Sequence, residues 1–240
     1  MRTESQVLRG QCALVTGGSR GIGLAIAQRL GALGARVAVC GRNAAALADA
    51  ERSLRAAGIE ATSFPADVSR LSEVARLVEQ TTARLGDVEI LVNNAGVGMF
   101  GAAHELSEND WDRVMDINLK GVFLCSRAVA PQMIRRGRGQ IINISSLAGK
   151  NAFAGGGIYC ASKWGLQGLT ACMAEDLRGH NVRVSVICPG SVDTEFSPHA
   201  GKDPLKMLRA EDVAHAVEML VTQAPGSFIS EILLRPTRKP

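Results

Sequence analysis

Tyr159 and Lys163 stand four positions apart in the segment Tyr159-Cys160-Ala161-Ser162-Lys163. On a helix, residues at this spacing lie on one face, one turn apart, so a phenol would lie beside an ammonium. A free phenol has a pKa of about 10, and a neighbouring cation lowers that pKa by favouring the phenolate. Such a tyrosine could donate a proton to a carbonyl being reduced, or accept one from an alcohol being oxidised. The competing interpretation is an ordinary pair on a helix surface.

The elements that must position this pair follow from the hydrophobic pattern. Short apolar runs rich in β-branched residues alternate with longer segments that carry apolar residues at helical spacing. Strands are predicted over residues 12–16, 36–40, 60–64, 88–93, 140–145, 183–188 and 228–234, and helices over 23–33, 44–57, 71–85, 110–133, 159–177 and 210–221. This alternation indicates parallel strands joined by right-handed crossovers, with helices on both faces of the sheet. We therefore predict one doubly wound α/β domain over residues 1–240, with its ligand at the carboxyl ends of the strands.

A glycine-rich loop joins the first predicted strand to the first helix. Its glycines follow the spacing G-x3-G-x-G, which allows a tight turn and close approach of the backbone to a phosphate. The next helix offers free N–H groups and its positive end to an anion. The loop predicts phosphate contacts from Gly17, Ser19, Arg20, Gly21, Ile22 and Gly23. A plain glycine turn is the alternative.

The end of the second predicted strand bears on the choice of nucleotide. A carboxylate is expected there if the cofactor ribose carries a free 2′-hydroxyl. This chain has Arg42 instead, and its next acidic residue is Asp49. Arg42 could pair with a 2′-phosphate, assisted by Arg20. We therefore predict NADP(H) rather than NAD(H), the alternative being that Arg42 only begins a solvated helix.

Two further strand ends carry candidate cofactor contacts. Asp67 and Val68 follow the third strand, where an adenine ring would lie; Asp67 could instead cap a helix that starts near Ser69. The fourth strand ends in the sequence Asn93-Asn94-Ala95-Gly96, whose small residues let the backbone approach a cofactor while the amides brace neighbouring loops. A simple turn is the competing account of this second segment.

Polar residues near the predicted crevice complete the candidate set. Asn118 lies inside the predicted helix 110–133, where an asparagine needs a reason because it is a modest helix former. Ser145 and Ser146 follow the fifth strand, and three glycines at 155–157 keep the approach to Tyr159 open. Exposure of Asn118 and a turn at the serines are the ordinary explanations.

Composition excludes several classes of function. The chain has 240 residues, 46% hydrophobic and 21% charged, with a formal net charge of +4, so it can bury a large core. Aromatic residues make up 4%, too few for a nucleic-acid surface with interleaved rings. No apolar run is long enough to span a membrane and no secretory signal is seen, so a cytoplasmic location is expected. The histidines are widely spread, so no metal is expected, and the cysteines are expected to be reduced core thiols: Cys12, Cys40, Cys125, Cys160, Cys172 and Cys188.

Taken in order, these segments resemble the short-chain dehydrogenase/reductase family over nearly the full length of the chain. The matching features are Thr16-Gly17-x3-Gly21-x-Gly23, Asn93-Asn94-Ala95-Gly96, Asn118, Ser146, Tyr159-x3-Lys163 and Pro189-Gly190. The resemblance implies the Rossmann form of the predicted fold, with about seven strands. It also implies an oxidoreductase in which the cofactor supplies hydride and the protein supplies orientation and the proton.

The resemblance assigns a role to each matching residue. Tyr159 would be the general acid or base, and Lys163 would lower its pKa and hold the nicotinamide ribose. Ser146 would polarise the substrate oxygen, with Ser145 as a weaker candidate, and Asn118 would hold a water that links Lys163 to solvent. Further residues would flank the nicotinamide: Pro189, Gly190, Val192 and Thr194.

The leading hypothesis is an NADPH-dependent carbonyl reductase, and the glycine loop looks like that of 3-oxoacyl-[acyl-carrier-protein] reductases. The alternatives are an NADP-dependent dehydrogenase of a small alcohol, 3-hydroxy acid or sugar, and a non-catalytic NADP-binding sensor. The family's usual Asp-Gly-Gly ending is missing, which leaves homodimer and homotetramer both open. The segment 195–209, where the family has its substrate-covering loop, is short, and the residues expected to line a pocket are Met99, Phe100, Leu147 and Phe153.

Overall fold

The computed structural model describes residues 6–196 and 203–239. It contains a seven-stranded sheet in the order β3-β2-β1-β4-β5-β6-β7, in which every neighbouring pair is parallel. The strands are β1 Cys12–Thr16, β2 Arg36–Gly41, β3 Ala61–Pro65, β4 Val88–Asn93, β5 Gly139–Ile144, β6 Val182–Pro189 and β7 Glu231–Leu234. The α-helices are α1 Gly21–Ala32, α2 Ala44–Ala56, α3 Leu71–Leu85, α4 Glu108–Met115, α5 Gly121–Arg136, α6 Gly157–Arg178 and α7 Ala210–Val221.

Alternating side chains of the strands build one apolar core on each face of the sheet. In β1, Ala13 and Val15 face the core that includes residues of α1, α2 and α7, whereas Cys12 and Leu14 face the core that includes residues of α3, α5 and α6. All five residues of β1 are buried, as expected for a parallel strand covered on both sides. The predicted doubly wound α/β fold is therefore confirmed.

Several boundaries differ from the predictions by one or two residues, and three differences have a visible cause or consequence. The single helix predicted over 110–133 is divided into α4, a π-helical turn Asp116–Lys120 and α5. The last strand begins at Glu231 rather than 228, because the backbone just before it bonds outside the ladder: Ile229 N donates to Gln223 Oε1 at 2.8 Å. Helix α1 begins at Gly21, two residues earlier than predicted, so the glycine loop runs directly into the helix.

Three observations on the described residues concern membrane spans, metal sites, and the exposure of the cysteines and histidines. None of their helices is both long and apolar enough to cross a membrane. No group of three or more His, Cys, Asp or Glu side chains in ranges 6–196 and 203–239 could hold a metal ion. All six cysteines are free and only Cys172 is exposed; His104, His180 and His215 are also exposed, while His199 lies outside the described residues.

Candidate active site

A cleft of about 1420 Å³ lies along the carboxyl ends of the strands. Its centre is between β1 and β4, where the strand order reverses, which is the point at which doubly wound sheets bind ligands. Nearly all of the predicted site residues line this cleft. Gly23 and Asn118 do not line the cleft, but each contacts residues that line it: Gly23 contacts Gly17, and Asn118 contacts Val97.

The glycine loop forms one end of the cleft and requires glycine at defined places. Gly17 and Gly21 have φ values of +64° and +53°, in the left-handed region that favours glycine. A Cβ placed on Gly23 would lie 2.2 Å from the carbonyl oxygen of Gly17, so helix α1 can approach the loop only without a side chain there. Arg20 occupies the N-cap of α1 and makes no side-chain cap, so the first N–H groups of the helix remain available to a phosphate.

We expect Gly23→Ala to lower the free energy of unfolding by about 1–3 kcal/mol and to weaken dinucleotide binding, because the new methyl group must displace the loop backbone. Chemical denaturation and NADPH fluorescence titration measure the two effects. Gly168→Ala is the matched control: Gly168 is an exposed residue of α6 with no atom within 4 Å of an added Cβ, so that change should stabilise slightly. Equal stability of the two variants would contradict the prediction.

Thr16 and Asn94 join the glycine loop to the end of β4. Thr16 Oγ1 accepts hydrogen bonds from Asn94 N at 3.0 Å and Ala95 N at 3.1 Å, while Asn94 Nδ2 donates to Thr16 O at 3.1 Å and Gly17 O at 3.2 Å. The asparagine amide therefore braces the loop, as the sequence predicted. Thr16 was absent from the predicted site residues, although its position as a hydroxyl at the end of a buried strand could have pointed to it.

Arg42, Asp67 and Val68 line the end of the cleft beyond the glycine loop. Arg42 is exposed and forms no ion pair with any residue in 6–196 or 203–239, so its guanidinium is available to a ligand. Asp67 is not a helix cap, since its Oδ1 accepts from Ser69 N at 3.0 Å and from Ser69 Oγ at 2.7 Å, while the N-cap of α3 is Arg70. The two bonds from Ser69, with Arg42 nearby, hold the pKa of Asp67 below its ordinary value against the effect of burial.

Arg20, the second predicted phosphate ligand, is already paired. Its guanidinium forms an ion pair with Glu195, and both side chains are largely exposed. Because Glu195 follows β6 and Arg20 precedes α1, the pair links the glycine loop to the segment on the other side of the cleft. A 2′-phosphate would therefore compete with Glu195 for Arg20, whereas Arg42 has no such competitor among the described residues.

Tyr159 and Lys163 lie one turn apart on α6, both buried, with the Lys163 Nζ 5.8 Å from the centre of the Tyr159 ring. The expected lowering of the tyrosine pKa is not found: burial raises the pKa of Tyr159 to about 12, and a hydrogen bond with Ser146 opposes only part of this rise. Burial also lowers the pKa of Lys163 to about 8. Lys163 Nζ donates to Ile144 O at 2.9 Å, which holds the ammonium beneath the cleft.

The two serines after β5 have different environments. Ser146 lies beside Tyr159, and its Oγ accepts from Ala148 N at 3.1 Å, which fixes the hydroxyl at the start of a short turn. Ser145 is buried, and its Oγ accepts from Gln167 Nε2 at 3.0 Å. Ser146 therefore lies in the cleft beside Tyr159, whereas the hydroxyl of Ser145 is held by Gln167.

Asn118 lies in the π-helical turn between α4 and α5 and is buried. Its side chain exchanges two hydrogen bonds with Val97, accepting from N at 2.8 Å and donating to O at 2.9 Å, and it also donates to Ser162 Oγ at 3.1 Å. These contacts use both N–H groups of the amide and one of the two acceptor sites of its oxygen, so a water held by Asn118 would have to bind the remaining acceptor site or the backbone. The side chain itself fixes the loop after β4 against α6, and Ser162 is a second contact that sequence reasoning missed.

The segment after β6 forms the wall opposite the glycine loop, and Pro189, Gly190, Val192 and Thr194 all line the cleft. Gly190 N donates to Leu234 O at 2.8 Å, which ties this wall to β7. Val192 pairs with Leu208 in an isolated bridge, so the chain on both sides of residues 197–202 is fixed at this point.

An aromatic group surrounds the ring of Tyr159. Phe100, Phe153 and Leu147 line the cleft as predicted, whereas Met99 does not. Phe196 also lines the cleft, like Phe100 and Phe153, and its ring centre is 6.0 Å from that of Tyr159. No local pattern predicts the contact between Phe196 and a tyrosine 37 positions away, because the two residues belong to different loops and elements.

Comparison with known proteins agrees with this geometry. The family model described as short chain dehydrogenase matches residues 11–204. A 3-oxoacyl-[acyl-carrier-protein] reductase of Synechocystis sp. is 35% identical to this chain over 231 residues, an alignment that covers 93% of this chain and 94% of the relative. A sepiapterin reductase of Chlorobaculum tepidum is 38% identical over 236 residues, and that alignment covers 93% of this chain and 95% of the relative.

Solved structures of similar proteins also include short-chain oxidoreductases. A metagenomic short-chain oxidoreductase in complex with NADP is 48% identical, with a TM-score of 0.85 over 96% of this chain and 99% of that one. An actinorhodin polyketide ketoreductase variant with NADPH is 33% identical, with a TM-score of 0.89 over 98% of each chain. The nucleotides named for these structures agree with the prediction of NADP(H) from Arg42. The chain therefore belongs to the short-chain dehydrogenase family.

Proposed function

We propose that residues 1–240 form one nucleotide-binding domain that reduces a carbonyl compound to an alcohol with NADPH. The observation that carries this proposal is the layout of one cleft. Arg42 and the glycine loop lie at one end of it, and Ser146, Tyr159 and Lys163 converge at the other. A dinucleotide that reaches from Arg42 past the glycine loop would bring its nicotinamide beside Tyr159.

The residues of this chain fit that cofactor at both ends. The helix N-terminus after Arg20 and the free guanidinium of Arg42 suit its phosphates, and Lys163 would hold the nicotinamide ribose. When bound, NADPH supplies a hydride to the carbonyl carbon. The protein holds the carbonyl oxygen at Ser146 and donates a proton to it from Tyr159, which leaves an alcohol.

The ionisation states favour reduction near neutral pH. With a pKa of about 12, Tyr159 carries its proton and can act as the acid, and with a pKa of about 8, Lys163 is a cation that stabilises the phenolate formed by the transfer. Lys163, with a pKa of about 8, would then assist the return of a proton to Tyr159. The oxidative direction needs Tyr159 as a base and is favoured as the pH rises.

The relatives support ketone reduction, because two of those named above are reductases of 3-oxoacyl and polyketide substrates. A 3-oxoacyl thioester is therefore one candidate substrate. The second candidate function is NADP-dependent oxidation of a small alcohol, 3-hydroxy acid or sugar, which the same residues could carry out. Intact Ser146, Tyr159 and Lys163 argue against a sensor without turnover, since nucleotide binding alone does not need them.

We further propose a cytoplasmic homodimer or homotetramer. Large aromatic side chains are exposed on the helices that precede and contain the Tyr159 site: Trp111 on α4, Phe123 on α5 and Trp164 on α6. Their burial against a second copy would remove an apolar surface from water. Light scattering coupled to size-exclusion chromatography measures the state, and a monomer at micromolar concentration would refute this part of the proposal.

NADPH oxidation followed by absorbance tests the main proposal. The purified protein is assayed with ketones, 3-oxoacyl thioesters and, with NADP⁺, alcohols. Reduction of at least one ketone class at a rate above that of Tyr159→Phe is expected. Turnover confined to the alcohols would favour the second candidate function, and NADPH binding without turnover of any compound would favour the sensor.

Arg42→Ala is expected to raise KM for NADPH by about 10- to 100-fold and to change KM for NADH by less than about threefold, because a lost charge-assisted contact with phosphate is worth about 1.5–3 kcal/mol. Steady-state kinetics with both nucleotides measures the change. Arg52→Ala is the control, since Arg52 is an exposed arginine of the neighbouring helix α2 that pairs with Asp49 and does not line the cleft. Equal effects of Arg42→Ala on both nucleotides would contradict the assignment to the 2′-phosphate.

A further inference from the structure

Three phenylalanines from three separate loops lie near Tyr159: Phe100 and Phe196 contact its ring, and Phe153 contacts Phe100. Phe100 follows β4, Phe153 precedes α6 and Phe196 follows β6. The ring centres of Phe153 and Phe100 are 6.3 Å apart, those of Phe100 and Tyr159 5.4 Å, and those of Tyr159 and Phe196 6.0 Å. The four rings thus form a row across the cleft beside the hydroxyl that would donate the proton.

The three phenylalanine rings of this row are open to the cleft. Phe100, Phe153 and Phe196 are 42%, 50% and 45% exposed, while Tyr159 beneath them is 8% exposed. Large apolar rings that group together on a surface mark a binding site rather than a core. All three line the cleft, so the apolar surface that they expose faces the position of a bound ligand.

Two glycines hold the row in place. A Cβ on Gly98 would lie 2.7 Å from the ring of Phe100, and a Cβ on Gly156 would lie 2.6 Å from the ring of Phe153. Each ring therefore packs against backbone that carries no side chain, at a place where a side chain would collide with the ring. The aromatic surface is thus positioned before a ligand binds.

The loops that carry two of the rings are neutral. Residues 96–100 read Gly-Val-Gly-Met-Phe and residues 151–155 read Asn-Ala-Phe-Ala-Gly, without a charged side chain in either. On the facing side, Glu195 is paired with Arg20. An uncharged, ring-bearing ligand suits these surroundings, since aromatic rings prefer edge-to-face or offset contacts with centres 4.5–7 Å apart, the range already present in the row.

We propose that the substrate is a ketone that carries an aromatic ring about one methylene group away from its carbonyl group, and that Phe100, Phe153 and Phe196 bind this ring while Ser146 and Tyr159 bind the oxygen. The inference rests on the proposed carbonyl reduction and narrows its substrate class. In the step, the carbonyl carbon receives a hydride from NADPH, its oxygen receives the proton of Tyr159, and the products are a secondary alcohol and NADP⁺.

The test compares 1-phenylpropan-2-one with 1-cyclohexylpropan-2-one. A methylene group separates the ring from the carbonyl in both compounds, so their intrinsic reactivities match, and the cyclohexyl compound is at least as apolar. The wild type is expected to show a kcat/KM about tenfold higher for the phenyl ketone. Each change of Phe100, Phe153 or Phe196 to Leu should reduce that ratio by about twofold, the lower end of the value of one aromatic contact, so that the triple leucine variant should show a ratio near one.

Phe228→Leu is the matched control, because Phe228 is an exposed ring outside the cleft, and its ratio should equal that of the wild type. A wild-type ratio of one or less, or a ratio unchanged in the triple leucine variant, would overturn the inference and leave the reductase proposal standing. Faster reduction of an aliphatic 3-oxoacyl thioester of N-acetylcysteamine than of the phenyl ketone would do the same.

A second measurement separates the two proposals if no ketone is reduced, a result that would refute the reductase proposal. The Kd of each ketone is then measured by calorimetry on Tyr159→Phe saturated with NADPH, which cannot turn over. Tighter binding of the phenyl ketone, lost in the triple leucine variant, supports the aromatic site. Equal affinities of the two ketones overturn it.

Discussion

Replacing Tyr159 with phenylalanine is expected to lower kcat for carbonyl reduction by about 10²- to 10⁴-fold, the usual contribution of a positioned general acid. The ring and its contacts with Phe100 and Phe196 remain, so the cleft should keep its shape. The Kd for NADPH should change by less than about threefold, since the variant loses only a hydroxyl group. Stopped-flow or steady-state NADPH oxidation measures kcat, and fluorescence titration measures the Kd.

The chain offers an internal check on this prediction, because Tyr159 is its only tyrosine. The ultraviolet absorbance of phenolate therefore reports this one side chain. In the free protein we expect no phenolate below pH 10, since burial raises the pKa of Tyr159 to about 12. Phenolate present at pH 8, or a Tyr159→Phe variant that retains more than a tenth of wild-type kcat, would contradict the role of acid.

Replacing Lys163 with methionine is expected to abolish most turnover and yet raise the stability of the free protein. Lys163 is 5% exposed, and burial lowers its pKa from 10.5 to about 8, which corresponds to a cost of about 3 kcal/mol for holding the charged form in the folded state. Removal of the hydrogen bond to Ile144 O offsets about 1 kcal/mol of the gain. The free energy of unfolding should thus rise by about 2 kcal/mol at pH 7.

The pH dependence of the stability gain in Lys163→Met tests whether the buried charge causes it. The folded pKa of Lys163 lies below the unfolded value, so the unfolded chain binds more protons between pH 8 and 10.5, and the cost of burial is full below pH 8 and disappears above 10.5. The advantage of Lys163→Met should therefore shrink between these values in urea denaturation, with Lys120→Met, at an exposed lysine paired with Asp116, as control. An advantage that stays constant from pH 7 to 10.5 would exclude the buried charge as its origin.

Local patterns were sufficient for most of the fold. Strand β1 and helices α3 and α7 have the predicted boundaries, because each combines a clear apolar period with a sharp end such as Gly17 or Gly86. The π-helical turn at Asn118 could not be predicted, since its cause is the double hydrogen bond with Val97, a residue 21 positions away. Helical period alone predicts a continuous helix there.

In the candidate site, too, some features follow from local sequence and others depend on tertiary packing. The order of the motifs was sufficient to bring Ser146, Tyr159 and Lys163 together, because parallel strands place their carboxyl ends at one edge. The i, i+4 spacing gave the proximity of Tyr159 and Lys163 but not their burial, and burial decides the direction of both pKa shifts. The contact of Thr16 with Asn94, across 78 positions, exists only once the strands have paired.

The hydrogen bond from Gly190 to Leu234 has a consequence for how the dinucleotide is held. In the proposed binding mode, the backbone of the final strand would support the nicotinamide half of the cleft, whereas the glycine loop and Arg42 would support the adenosine half. A partner protein or substitution that displaced residues 231–234 would therefore act selectively. It would weaken binding of the intact coenzyme while leaving the affinity for 2′-phospho-adenosine fragments unchanged, so the two halves of the cofactor site would be separable by a disturbance at the sheet edge.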